Sequence, residues 1–374
     1  VKPKSGLAVK TGYKIRVTVA AKDLSGNALQ TEYVSTGFRT QAQSDTASSE
    51  TTITGLNMSG YSGPWGGRRG AYWKDGQLIK QFTNTKWIYS EAKDLDVTAA
   101  GTFVLMNFRK GNKHIASFWN KAKDRVINFD NWATTVVHGI AEYNGNVYVV
   151  GEHMNNHHSI RACYWKLPIK TLKYPLGDAK EVYLLTKGDG WASDIVVSGD
   201  KLYISGSYFK SKNPENPVYW ILEEDGNKSM TKLPKDLKTD ALASSIDVDG
   251  SNLYLGGFQR DEEDNYIASY WKVMGGQKTV TRIGTTGIDS EVYDIDFYNG
   301  KVYSAGYESY KPVYWVDSLK IPLSTSGSGE ARSILVIDGK VVVAGNLGDK
   351  AAYWINGELT SIDVKGSIVY AIDD

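Results

Sequence analysis

A single cysteine in 374 residues leaves no intrachain disulfide framework and no zinc site of the multi-cysteine kind. No run of 18 apolar residues occurs, so nothing reads as a membrane-spanning helix. Neither sign of charge prevails. The 43 Lys and Arg against 42 Asp and Glu leave a net +1, which excludes the basic excess of a nucleic-acid or membrane-surface binder. Arg68-Arg69 is too small a cluster to change that. The sequence also lacks a phosphate-cradling loop, a Gly-x-Ser-x-Gly elbow and a dinucleotide fingerprint. Val1-Lys2-Pro3-Lys4 contains no apolar signal core, so an export signal is expected to have been removed or to lie outside this chain. Proline is scarce at 9 residues, while 24 Tyr, 11 Trp and 38 Gly describe a strand-rich chain with many tight turns.

The length suits two or three domains or one large repeat fold. A repeat is present. An aromatic-Trp pair recurs at Tyr72-Trp73, Phe118-Trp119, Tyr164-Trp165, Tyr219-Trp220, Tyr270-Trp271, Tyr314-Trp315 and Tyr353-Trp354. The Trp spacings of 46, 46, 55, 51, 44 and 39 fit a four-stranded propeller blade. Upstream of most pairs an apolar strand ends in Gly, at Gly60, Gly151, Gly206, Gly257, Gly306 and Gly345, with Met106 instead in the second unit. Before that comes a branched apolar marker: Leu95, Ile140, Ile195, Ile246, Ile295 or Ile334. Turn dipeptides such as Asn144-Gly145, Asn299-Gly300 and Asp338-Gly339 separate the two and favour tight hairpins. Each unit therefore reads as strands a, b, c and d, and seven units predict an all-β, seven-bladed β-propeller over residues 51–374. The first unit lacks a convincing strand a, and the C-terminal segment 367–374 offers one. Pairing the two would close the ring and remove exposed sheet edges.

Residues 1–40 differ. A strand from Tyr13, the turn Asp23-Leu24-Ser25-Gly26-Asn27 and a return ending in Phe38-Arg39-Thr40 resemble the C-terminal part of a bacterial Ig-like domain. Residues 41–50 have a linker composition. The repeats, with Ala71-Tyr72-Trp73-Lys74-Asp75-Gly76 the closest copy, resemble uncharacterised secreted or surface propellers of Bacteroidota. That resemblance implies an exported bacterial protein, periplasmic or at the cell surface and lipid-anchored through a segment outside this chain. It implies no activity.

Residues that recur in every unit serve packing, so the seven repeated Trp are expected in the inter-blade core. Cys163 shares their strand and reads as a buried small hydrophobe. Function is sought where units differ. The longer b–c connections, placed at 59–70, 107–114, 152–161, 207–217 and 258–267, load one face of the ring, whereas 307–311 and 346–350 are short. Four Trp outside the repeat map to that face: Trp65 in the first such loop, and Trp87, Trp132 and Trp191 in the connections entering blades 2, 3 and 4. Their flat rings suit a glycan or a protein ligand, or else staple neighbouring blades. All five histidines, His114, His138, His153, His157 and His158, fall in the same sector. They are candidates for a divalent-cation site or for acid–base groups, although no recognised ligand spacing is present. A polar ring precedes the apolar markers: Asp94, Gly139, Asp194, Ser245, Asp294, Ser333 and, in the C-terminal segment, Ser367. Asp96, Asp247 and Asp296 follow two positions later. These side chains either satisfy backbone N–H groups or bind a cation.

The leading expectation is a monomeric, non-enzymatic recognition module that binds a glycan or protein ligand without a cofactor. The alternatives are a lyase-like polysaccharide-degrading enzyme using the histidine sector, with or without a divalent cation, and a structural spacer.

Overall fold

The alternation of apolar and polar residues, broken by Gly-containing turns, folds into seven four-stranded antiparallel sheets arranged in a ring. The computed structural model describes residues 53–374 except 65, 84–88, 111–112, 131–134, 155–158, 172–178, 180 and 211–213, together with four short strands nearer the N-terminus. The innermost strands of blades 2 to 7 are Tyr89–Thr98, Thr135–Tyr143, Asp189–Ser198, Ala241–Asp249, Ser290–Tyr298 and Gly329–Ile337. Blade 1 takes its innermost strand from the other end of the chain: Ile368–Asp373 pairs with Asn57–Ser62, followed outward by Arg69–Lys74 and Gln77–Phe82. The hairpin turns carry the left-handed backbone that their residues tolerate, with φ of 51° and 72° at Asn144 and Gly145.

The chain divides into residues 1–54 and 55–374. In the first unit Gly12–Tyr13 pairs with Phe38–Arg39, and Arg16–Val17 with Tyr33–Val34, both antiparallel. The linker composition at 41–50 lies outside the described residues.

The repeated Trp are the core. Trp73, Trp165, Trp220, Trp271, Trp315 and Trp354 are fully buried and Trp119 nearly so. Trp220 illustrates the arrangement, packing with Val150, Ala162 and Tyr164 of blade 3 and with Ile204 and Val218 of its own blade. Trp165 does the same against Phe103, Phe118 and Phe129 of blade 2. Trp119, Trp271, Trp315 and Trp354 likewise join clusters that include residues of the preceding blade. Cys163 is buried on the same strand, its thiol facing the Gly151 carbonyl at 3.7 Å. Trp220→Ala is expected to cost about 3–5 kcal/mol in a denaturant titration, as deletion of a large buried aromatic does. Trp220→Phe should cost much less, because the indole N–H has no hydrogen-bond partner among the described residues.

Two details of the sequence reading change. In blade 1 the residue before the apolar marker is Ala371, not Ser367, because Ile372 is the residue opposite Met58. Ser367 precedes the strand, and its hydroxyl accepts the Ala351 N–H at 3.0 Å. The b–c strands also run further than their polar residues suggested, so the connections shrink to 63–68, 111–112, 155–159, 210–215 and 261–265. His114 consequently lies on a strand opposite Arg109, and His153 on a strand opposite Arg161.

Candidate functional site

The seven innermost strands share one irregularity. In each, the register with strand b skips a single residue: Lys93, His138, Ser193, Ser244, Tyr293, Arg332 and Tyr370. These are β-bulges, which leave one residue unpaired and re-aim its side chain. In six blades the strand-b glycine accommodates the close approach of the bulged strand. A Cβ there would lie 1.8 Å from the Glu291 carbonyl oxygen at Gly306, 2.0 Å from that of Trp191 at Gly206 and 2.1 Å from that of Val136 at Gly151. In these six blades a side chain on strand b would collide with the carbonyl that the bulged strand presses against it. Blade 2 carries the same shift opposite a buried Met106.

All seven bulge side chains line the central channel, a cavity of about 460 Å³. They also form the floor of a wider mouth of about 480 Å³, whose walls add Glu152, Trp191 and Leu242. The mouth opens among the ends of the innermost strands where the b–c and d–a connections emerge. Among the four non-repeat Trp, Trp191 is placed here, on the innermost strand of blade 4 rather than in the connection before it, with its ring 5.3 Å from that of Phe209. Trp65, Trp87 and Trp132 lie outside the described residues.

The mouth is polar but internally paired. Lys93 Nζ lies 2.7 Å from Glu91 Oε2 and 4.4 Å from the Tyr370 ring centre. The Tyr370 hydroxyl donates to Glu91 Oε1 at 3.2 Å, and Arg68 reaches the same oxygen at 3.3 Å. Burial alone would raise the Glu91 carboxyl, yet Lys93, Tyr89 and Tyr370 outweigh it and hold the group low. Arg332 stacks over Tyr293 at 3.9 Å and pairs with Glu330. Desolvation pushes the Tyr293 and Tyr370 phenols up, aided by nearby glutamates, and raises the Glu291 carboxyl to about 7.

The histidines disperse. His138 occupies the blade 3 bulge, with Nε2 2.6 Å from Glu152 Oε2. His153 faces the Thr135 hydroxyl at 3.4 Å and the Tyr183 ring. Burial and Arg109 lower the His114 imidazole. His157 and His158 lie outside the described residues. Among the described residues no three His, Cys, Asp or Glu converge so as to hold a metal ion.

Deeper in the channel, the aspartates join blades. Asp94 Oδ2 accepts the Ile140 N–H of the next blade at 2.9 Å, Asp194 that of Ile246 at 3.0 Å, and Asp294 that of Ile334 at 2.9 Å. One layer on, Asp96, Asp247, Asp296 and Asp373 accept from Glu142, Phe297, Val336 and Val97. Asp94, Asp194 and Asp294 also cap the N–H of their own following residue. The backbone-satisfying role foreseen for this ring is realised, and it reaches across blade boundaries.

Except for His138, the bulge residues were missed in the sequence because they do not repeat. Their signal was there: a small apolar residue, one variable residue, a small or acidic residue and then Ile or Leu, as in Ala92-Lys93-Asp94-Leu95 and Val292-Tyr293-Asp294-Ile295.

No protein-family model matches the chain, and neither does any curated protein. Solved structures do. A puromycin-hydrolysing peptidase of Mycobacterium tuberculosis matches with a TM-score of 0.56 at 11% identity over 84% of this chain, which spans 54% of that peptidase. The β-propeller domain of the Trilobed protease from Pyrococcus furiosus, described as having an open velcro topology, matches with a TM-score of 0.50 at 12% identity over 80% of this chain and 87% of that one. At such identities the likeness is one of fold: this chain is a seven-bladed β-propeller.

Proposed function

We propose that the protein is a non-enzymatic recognition module of an exported bacterial protein, which holds part of a glycan in the mouth of its central channel. One observation carries this reading. Seven structurally equivalent positions, aimed into one cavity, hold Lys, His, Ser, Ser, Tyr, Arg and Tyr, whereas the flanking positions repeat from blade to blade. A packing role would have kept them alike, as it did the Trp. Aromatic faces from Trp191, Tyr293 and Tyr370 beside hydroxyl, ammonium and guanidinium donors match what a sugar ring presents, apolar C–H faces edged by hydroxyls. A glycan array run with and without divalent metal, followed by calorimetry on the best hit, tests the reading. Trp191→Ala is expected to weaken binding about tenfold, or ~1.4 kcal/mol. Unchanged affinity would remove the mouth from recognition.

A polysaccharide-degrading enzyme is the second reading, favoured by the His138–Glu152 pair, in which a carboxylate orients an imidazole for proton transfer. The raised phenols of Tyr293 and Tyr370 speak against a tyrosinate base at neutral pH. Cleavage of the array hit by the parent protein, lost in His138→Ala, would favour this second reading.

A further inference from the structure

Away from the channel, blade 4 and its connection into blade 5 enclose an open pocket of about 410 Å³ lined by Tyr208, Asn216, Lys210, Lys232, Lys235 and Lys238, with Pro214 at its edge. Four ammonium groups around one cavity are conspicuous in a chain whose net charge is +1. Some lysines elsewhere are paired, Lys93 with Glu91, Lys201 with Glu223 and Lys320 with Glu308. Here Lys210, Lys232 and Lys238 make no ion pair among the described residues, and no carboxylate lines the pocket. Burial lowers the Lys235 ammonium, and two acids, Asp240 and Glu215, act against it by favouring the charged form. Asp240 caps the Glu215 N–H at 2.7 Å and lies 3.7 Å from Arg260, while Asp236 pairs with Arg282 at 2.7 Å and with Gln259 at 2.6 Å.

The pocket is also built. Lys235 Nζ donates to the carbonyls of Glu215 at 2.9 Å and Thr239 at 2.6 Å, leaving the third N–H of the ammonium unassigned. Asn216 Nδ2 donates to the Pro214 carbonyl at 2.9 Å and steadies the loop. Lys232 Nζ sits 4.9 Å from the Tyr208 ring centre. Holding like charges together costs free energy that an anionic ligand would return.

We propose that this pocket is an anion-binding site for a polysaccharide bearing sulfate or carboxylate groups, separate from the channel mouth and independent of the reading given for it. Several single-point ammoniums suit anions spaced along a sugar chain better than one bidentate guanidinium would, and the Tyr208 ring offers a stacking face.

Calorimetry on the whole protein tests this with five probes: a sulfated heparin octasaccharide, an oligogalacturonate of equal length, uncharged malto-octaose, an eight-nucleotide oligothymidylate and phosphatidylserine vesicles. The sulfated or the uronate chain is expected to bind, with affinity falling as salt rises, and malto-octaose not to bind. The doubly exposed variant Lys210→Glu/Lys238→Glu should lower that affinity about tenfold or more. Lys74→Glu/Lys301→Glu, an equal charge change at exposed positions elsewhere, should leave it within about twofold. Equal losses in both variants, or equal binding of the oligothymidylate or the vesicles, would overturn the assignment. Trp191→Ala should not affect these probes. A loss there with none in the Lys210/Lys238 variant would move the anion site to the mouth and sink this proposal while sparing the other.

Discussion

A chain ending at Ser367 is expected to lose the cooperative unfolding transition of the parent or to melt at least about 10 °C lower. The strand Ile368–Asp373 contributes more than its length implies. Val369 is fully buried and Ile372 nearly so; burial of each is worth about 1.5–3 kcal/mol. Its removal would uncover Met58 and Tyr61 on the strand it pairs with. It is also tied to both neighbours: Ile372 N–H donates to the Ser333 hydroxyl of blade 7 at 3.2 Å, and Asp373 accepts the Val97 N–H of blade 2 at 2.7 Å. Losses of this size approach the ~5–15 kcal/mol by which whole domains are stable. Differential scanning calorimetry checks the outcome, and a synthetic peptide of residues 366–374 added in trans should restore part of the transition. A truncated chain as stable as the parent would mean that closure contributes nothing.

The melting temperature is also expected to fall as pH rises from about 5 to about 8. Burial raises the channel carboxylates, Asp96, Asp194 and Asp296 to about 7 and Asp294 and Asp373 to about 6. Asp94 moves the same way, with repulsion from Asp194 added to burial. In the unfolded chain such groups titrate near 4, so in this window the folded state binds more protons. Their stabilisation is complete below the unfolded value and is lost as pH passes through the folded ones, at up to ~1.4 kcal/mol per pH unit for each group. Glu215 and Glu291, also raised by burial to about 7, act in the same direction, whereas the lowered His114 opposes them. The net loss should reach about 3 kcal/mol or more, a drop of several degrees. Asp194→Asn should flatten the slope, because the amide oxygen still accepts one N–H but carries no charge. A melting temperature constant or rising between those pH values would show that the aspartates stay ionised.

Most of the architecture was legible because seven copies of one packing problem leave seven copies of its solution. The Trp recur in all seven blades, the strand-b glycines in six and the Asn-Gly or Asp-Gly turn between strands a and b in four, and each maps to one place in the blades that carry it. What escaped was whatever broke the alternation. The C-terminal segment holds two pairs of a small residue followed by Ile, Ser367-Ile368 and Ala371-Ile372, and the first made Ser367 look like a member of the polar ring. Polar residues on blade 2, from Asn107 to His114, read as a loop although Phe108 and Ile115 are buried partners across a hairpin. Strand-b glycines were recognised as markers, but not as the places where the bulged strand's carbonyl comes too close for a side chain. The site was therefore only partly foreseen. Trp191 and His138 both line the mouth, while Lys93, Tyr293, Arg332 and Tyr370 belong to it for a reason visible only in three dimensions.

The bulges have a bearing on how such a protein changes over generations. A side chain at a bulge takes no part in the cross-strand pairing, so replacing it neither shifts a register nor disturbs the Trp layer. The ring thus offers seven addresses at which a replacement keeps the strand register, all focused on one cavity, provided that the partners of Lys93, Arg332 and Tyr370 are replaced with them. Randomising Lys93, His138, Ser193, Ser244, Tyr293, Arg332 and Tyr370 together would give a library in which the strand register is held constant while specificity drifts, and natural relatives with other ligands are expected to differ from this chain first at those seven places.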